Sequence, residues 1–125
     1  MLGDVVRDFG LTLGLPDMAL DARGRLSLTL GNGEAALALA LEHVPEGLLF
    51  GLGRLRTLFP PDAEEQALRL CAHMDMRPLL RPARSDNASS PYLWLISLLP
   101  RADCRTDALC ACLTRGSAVL EELQA

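Results

Sequence analysis

A chain of 125 residues has the length of one domain and is long enough to bury a core. Half of its residues are hydrophobic, 22% are charged and the net charge is −4, a composition typical of a globular protein rather than a disordered one. All twelve basic residues are arginines scattered along the chain, and only 4% of the residues are aromatic, which disfavours nucleic-acid binding through a basic stripe or a stacking platform.

The first part of the chain predicts a helix followed by a β-hairpin. Apolar residues recur at helical spacing from Leu2 to Leu13, and Gly14 ends this amphipathic helix. In residues 24–42, GRLSLTLGNGEAALALALE, leucines alternate with Ser, Thr or Ala on both sides of Gly31-Asn32-Gly33. A period of two places the leucines on one face of a sheet and the small residues on the other. The glycines favour the positive φ of a hairpin turn.

A third strand is predicted over residues 48–58, LLFGLGRLRTL. Gly51 and Gly53 within it indicate either a bulge or the close approach of another backbone. Pro60 ends the strand because proline cannot donate to a sheet ladder.

A second helix is predicted from Asp62 to about Met76. Asp62 and Glu65 are three residues apart, like the two members of a capping box. Residues 79–84 then predict a short strand, which Pro82 confines to a sheet edge.

The last predicted elements are a strand over residues 92–99 and a closing helix. YLWLISLL lacks polar alternation, so we predict a strand buried on both faces. The closing helix begins near Asp103 or Thr106 and carries an apolar stripe to Leu123. The order α-β-β-β-α-β-β-α predicts a single α+β domain over residues 1–125, with an antiparallel sheet of about five strands and three helices in two layers.

The cysteines and histidines offer few arrangements for metal or thiol chemistry. Cys110 and Cys112 are two positions apart on the closing helix, so they point to nearly opposite sides and cannot hold one ion together. Neither His43 nor His73 has an obvious ligand partner, and no C-x-x-C pattern indicates a redox pair. We therefore interpret the cysteines, including Cys104, as small packing residues and expect no metal and no cofactor.

No pattern of catalytic residues is recognisable either. Ser-His-Asp and Cys-His arrangements are missing from the sequence, and Glu64-Glu65 suits a helix start rather than an acid–base pair. We therefore predict that the chain is not an enzyme. An enzyme or small ligand-binding domain that uses Cys71, His73 or the cysteine cluster is the less favoured alternative, which bound zinc or a functional loss after Cys→Ser changes would support.

The sequence also predicts a cytoplasmic protein without membrane insertion. Asp4, Arg7 and Asp8 interrupt the first apolar stretch, whereas a signal peptide needs a continuous one. The apolar run of residues 92–99 is too short to span a bilayer. Four cysteines without repeated spacing suit a reducing compartment.

The predicted helices carry more apolar surface than one sheet face can cover. The first and last helices suffice for the leucine face, which leaves Leu68, Cys71 and Met74 of the second helix without a partner. Trp94 lies on a strand that is already predicted to be buried. We therefore expect a second chain to supply the missing layer, most simply in a twofold homodimer. The alternative is that the second helix docks on its own sheet.

The small-residue face of the hairpin has two interpretations. It would let an extended peptide approach closely, and an open sheet edge would pair with the peptide backbone. The alternative is compositional, since a chain rich in Ala and Leu places alanine wherever a strand tolerates it.

Six segments follow one another in a recognisable order: LGDVVRDFGLTLGL, LDARGRLSLTL, EAALALALE, DAEEQALRLCAHM, YLWLISLL and TDALCACLTRGSAVLEEL. In that order, and in size and charge, nearly the whole chain resembles the class I chaperones of bacterial type III secretion. The resemblance implies a dimeric bacterial cytoplasmic protein without nucleotide or metal. Such a protein wraps the unfolded amino-terminal chaperone-binding segment of an effector or secreted regulator and keeps it competent for export.

The resemblance also implies two sets of contact residues. The second helix and the neighbouring strand would form the dimer interface through Leu68, Cys71, Met74 and Trp94. The client would meet the first helix and the sheet at Val6, Phe9, Leu13, Leu28 and Leu39. Some chaperones of this type pair with a different chain, so a heterodimer is the alternative to a homodimer.

A roadblock-type scaffold dimer is the main competing interpretation. That class also consists of small α+β domains, but two strands precede its middle helix and three follow it. A strand at residues 48–58 would favour the chaperone, and a loop there would favour the scaffold.

Overall fold

The computed structural model describes residues 2–73, 79–83 and 91–123. Within these ranges the chain forms three α-helices and five strands in the predicted order. The bounds of the elements are α1 Leu2–Thr12, β1 Arg25–Leu30, β2 Leu37–Val44, β3 Gly47–Leu55, α2 Ala63–Ala72, β4 Arg81–Pro82, β5 Tyr92–Pro100 and α3 Thr106–Leu123. Short 3-10 helices at Arg56–Leu58 and Arg101–Asp103 follow β3 and β5.

The strands form one antiparallel sheet in the order β1-β2-β3-β5-β4. Its register aligns Leu28, Leu39, Leu52 and Leu95 in one row across four strands. The predicted hairpin is confirmed, and Gly31 and Gly33 have the expected positive φ of 88° and 72°. In the part of the chain that the structure describes, three strands precede α2 and two follow it, which is the order predicted for the chaperone fold and not that of the scaffold.

The core lies between the leucine face of the sheet and the two helices α1 and α3. α3 packs on β3 and α1 packs against α3. Gly116 allows this approach, because a Cβ there would lie 2.9 Å from Leu52 Cδ2. Phe9, Phe50 and Leu120 are fully buried in the same cluster, and each such side chain contributes about 1.5–3 kcal/mol to stability.

α2 lies at the β4 edge of the sheet, where it packs against α3 and β4. Its inner face is made of Ala63, Ala67 and Cys71, all buried, whereas Leu68 is 56% exposed. The second helix therefore docks on its own chain through small residues and leaves a large apolar residue outside.

Two local predictions were wrong. The expected capping box does not form: the Asp62 carboxylate accepts a hydrogen bond from Gln66 Nε2 at 2.9 Å, and Glu65 accepts one from Arg69 at 2.8 Å. Likewise β5 is not buried on both faces, because α1 and α3 both lie on the leucine side of the sheet. Leu98 of β5 is 46% exposed, and Trp94 and Ile96 are half-buried.

Other differences concern the ends of elements. β3 ends at Leu55 and continues as a 3-10 helix, and β4 is limited to residues 81–82. Met74 and Met76 lie outside the described residues.

Candidate partner-binding surfaces

The sheet face turned away from α1 and α3 is here called the open face. Residue pairing aligns Ser27, Ala40, Gly51 and Ile96 in one of its rows. The neighbouring rows contain Thr29, Ala38, Gly53 and Trp94, and Leu49 and Leu98. The open face is thus flat towards β1, where its side chains are small, whereas the side chains on β5 are apolar and bulky.

Trp94 lies against the glycines of β3. A Cβ on Gly53 would be 2.8 Å from Trp94 Cε3, whereas one on Gly51 would be at an ordinary 3.5 Å. The indole also meets the Tyr92 ring, with centroids 5.6 Å apart and planes tilted by 54°. The glycines therefore mark a close approach, as one of the two sequence interpretations proposed, but by an aromatic ring rather than by a backbone.

A shallow trough lies on the open face beside Trp94. Its volume is about 390 Å³, and Ser27, Ala40, Leu49, Gly51 and Ile96 contribute to its lining. Arg25 and Glu42 close one end with a 2.7 Å ion pair. Both side chains are well hydrated, so the pair stabilises the fold little, by about 0–1 kcal/mol.

A second concave surface, the α2 edge, adjoins the open face at Ile96. It is lined by Leu68, Arg81, Pro82, Ala83 and Ile96 together with Glu64 and Glu65, and its volume is about 560 Å³. Leu79, 60% exposed, and Leu98 lie in a further concavity beyond it. These leucines continue the apolar side of the open face around the β4 edge. A continuous exposed apolar surface is typical of interaction sites.

The predicted client-binding residues differ in how deeply they are buried. Val6, Phe9 and Leu39 are at most 1% exposed and belong to the core, so no partner reaches them in this fold. Leu13 and Leu28 are half-buried at the margin of the core and remain accessible. Apolar periodicity predicts which residues share an apolar face, but it does not show how completely the neighbouring layer covers each of them.

The predicted dimer-interface residues also differ in how deeply they are buried. Leu68 is exposed on the α2 edge and Trp94 is half-buried on the open face. Cys71 is 7% exposed and faces inwards, where it supports the position of α2. Met74 lies outside the described residues.

Sequence reasoning missed the exposure of Leu79 and Leu98. Leu98 follows Trp94 and Ile96 at a period of two, so all three lie on the same face of β5. Its exposure therefore follows from the openness of that face. No sequence signal marked Leu79.

The thiols have the packing environments that the sequence predicted. Burial raises the pKa of Cys112 to about 11 and also raises the pKa of Cys71. Cys104 Sγ donates to the carbonyl oxygens of Leu99 and Pro100 at 3.4 Å, and Cys110 Sγ lies 3.7 Å from Thr12 Oγ1. Among the described residues, no three His, Cys, Asp or Glu side chains are grouped so that they would hold a metal ion.

Within the described ranges, none of the helices combines the length and the hydropathy needed to cross a bilayer.

Comparison with known proteins gives matches in structure only. No protein-family model matches the chain, and no curated protein sequence does. A chain in the crystal structure of the ExsC–ExsE complex is 19% identical with a TM-score of 0.72, and the match covers 98% of this chain and 92% of that one. A chain of the heterodimeric ExoU–SpcU complex, from the type III secretion system of Pseudomonas aeruginosa, is 20% identical with a TM-score of 0.56, covering 95% and 97%. The predicted resemblance is thus confirmed at the level of the fold.

Proposed function

We propose that this protein is a type III secretion chaperone that binds the unfolded amino-terminal segment of an effector or secreted regulator in the bacterial cytoplasm. The observation that carries the proposal is a fold shared over almost the whole chain with chains solved in complexes, one of them from a type III secretion system. The exposed apolar surfaces provide area against which the apolar side chains of such a segment can be buried. Binding alone accounts for this role, so it requires no catalytic residue, nucleotide or metal.

The binding free energy comes from scattered client side chains. Burial of apolar area contributes about 25 cal/mol per Å², and the ordering of a disordered segment opposes it by several kcal/mol. A client therefore has to follow a long path of shallow apolar contacts. Leu13 and Leu28, at the accessible margin of the core, are proposed as two of those contacts.

A second copy of the chain is proposed to cover the α2 edge and the β5 side of the open face. The surface presents Leu68, Ile96 and Leu98, and it also carries both Glu65 and Arg81. In a twofold pairing each patch faces the same patch, so opposite charges can be brought together around the leucines. A dimer also doubles the contact path available to a client. A heterodimer with a different chain would use the same surface.

Limited proteolysis tests the chaperone role. Amino-terminal fragments of candidate effectors are digested with and without the purified protein, and we expect one extended segment to become protected. Leu28→Asp, checked for folding by circular dichroism, should weaken the protection, whereas Asn32→Asp at the exposed hairpin turn should leave it unchanged. A full set of fragments without any protected segment would contradict the proposal.

A further inference from the structure

A small apolar cavity lies at the end of the domain where α1 begins and the β2–β3 turn meets the 3-10 helix after β5. Its volume is about 240 Å³, and it is lined by Leu2, Val5, His43, Gly47, Arg101 and Cys104. Small-molecule sites usually measure about 300–1,000 Å³. The size therefore suits one or two aliphatic side chains of a peptide rather than a larger ligand.

The wall of the cavity is held in place by backbone contacts. A side chain at Gly47 would clash with the Leu99 carbonyl oxygen, so only glycine permits β3 to start against the end of β5. Arg101 N donates to the Glu46 carbonyl oxygen at 3.2 Å, which attaches the 3-10 helix to the β2–β3 turn. The Cys104 thiol is turned towards the carbonyls of Leu99 and Pro100. Burial raises the pKa of this thiol, so it stays uncharged at neutral pH.

Arg101 is the charged side chain in the lining of this cavity. The chain has 16 acidic and 12 basic residues, yet the lining contains an arginine, a histidine and no carboxylate. Arg101 and His43 are exposed and make no ion pair with the residues that the structure describes. Asp4, on the same helix turn as Val5, is instead 3.0 Å from Arg7.

We infer that this cavity receives an aliphatic side chain of the bound client where an Asp or Glu is its neighbour in the client sequence. The aliphatic group fills the space against Leu2 and Val5, and the carboxylate meets the Arg101 guanidinium at the mouth. Main-chain and apolar contacts elsewhere do not distinguish client charge, so this cavity sets a sequence preference. The inference rests on the proposed chaperone function and specifies one element of its client.

Two short peptides test the preference: acetyl-Leu-Glu-Leu-amide and the matched acetyl-Leu-Lys-Leu-amide. Each is titrated into the ¹⁵N-labelled full chain and followed by amide chemical shifts. We expect the Glu peptide to bind with a dissociation constant of about 1 mM and to shift the amides of Val5, Gly47 and Cys104. The Lys peptide should bind about fivefold more weakly, because an exposed charge contact contributes no more than about 1 kcal/mol.

Arg101→Glu should reverse this preference between the two peptides. Arg69→Glu, the same charge change on α2, which contributes nothing to the lining, should leave it as it is. Unchanged selectivity in Arg101→Glu, shifts centred on other residues, or no shift with either peptide would each overturn the inference. These results are independent of the proteolysis experiment, in which a client is protected or not whatever its charge pattern.

Discussion

Arg54 is a buried charge whose Nε has no hydrogen-bond acceptor among the described residues. It is 7% exposed, and its pairing with Leu93 turns it towards the helices rather than the open face. An ion is costly to bury unless it is paired, and apolar residues of similar volume often replace buried ions with a gain in stability. No prediction from the sequence concerned this arginine.

We therefore expect Arg54→Met to raise the free energy of unfolding by about 1–3 kcal/mol in urea denaturation. Arg54→Lys retains the charge and should give no such gain. A clear loss of stability in Arg54→Met would mean that the guanidinium is compensated in a way that this structure does not show.

Cys112 makes stability sensitive to alkaline pH. Its pKa is raised by burial from an ordinary 9.0 to about 11, so the folded state holds the proton more tightly than the unfolded state. The stabilisation is complete below pH 9 and is lost as the pH rises from 9 to about 11. This rise in the pKa corresponds to about 2–3 kcal/mol of the free energy of unfolding. The chain contains no lysine, so lysine side chains do not contribute to this decline.

The measurement is the free energy of unfolding across that pH range. Cys112→Ala should begin from a lower stability, because a small void is left, but should show a flatter decline. An equal decline in both proteins would assign the pH dependence to another group.

The order and type of helices and strands followed from periodicity, and the two local errors have different causes. Leu93 to Leu99 is almost continuously apolar, which has the same sequence appearance whether the second face is covered by this chain or by another. The missing capping box has a local cause, since Gln66 and Arg69 compete successfully for Asp62 and Glu65. Turn glycines, by contrast, were reliable because positive φ strongly favours glycine.

The contact between β3 and β5 supplies a paired test of the open face. Gly53→Ala would place a methyl group 2.8 Å from Trp94 Cε3 and force the indole away, which we expect to lower stability by about 1–3 kcal/mol. Gly51→Ala meets the same ring at 3.5 Å and should be tolerated. Trp94 is the only tryptophan, so its emission spectrum reports the displacement directly. Similar spectra and urea midpoints for the two variants would show that the ring is not held against Gly53.

The sequence predicted a surplus of apolar surface but not where it would lie. The core absorbed Val6, Phe9, Leu39 and Cys71, because α1, α3 and the inner side of α2 cover the leucine face well. The surplus instead collects on the α2 edge and β5, where the described part of the chain provides no covering layer. We therefore expect the dimer interface to centre on Leu68, Leu98 and Trp94.

We expect the chain to self-associate through this surface. In a twofold dimer each substitution occurs twice, so Leu98→Asp removes two leucines from the interface. At about 1.5–3 kcal/mol for each buried leucine, the loss is about 3–6 kcal/mol, equivalent to a rise of about 10²- to 10⁴-fold in the dimer dissociation constant. Sedimentation equilibrium of the wild-type chain and of Leu98→Asp measures this rise, and Leu68→Glu should behave alike.

Leu11→Glu is the matched control, because Leu11 is 57% exposed on α1, away from the α2 edge and β5. Its substitution should leave the dimer intact while it changes net charge and surface hydrophobicity as Leu68→Glu does. If Leu11→Glu dissociated the dimer and Leu98→Asp did not, the interface would lie on α1 instead. A wild-type chain that remained monomeric at all concentrations would exclude the second copy and leave a different chain as the partner of this surface.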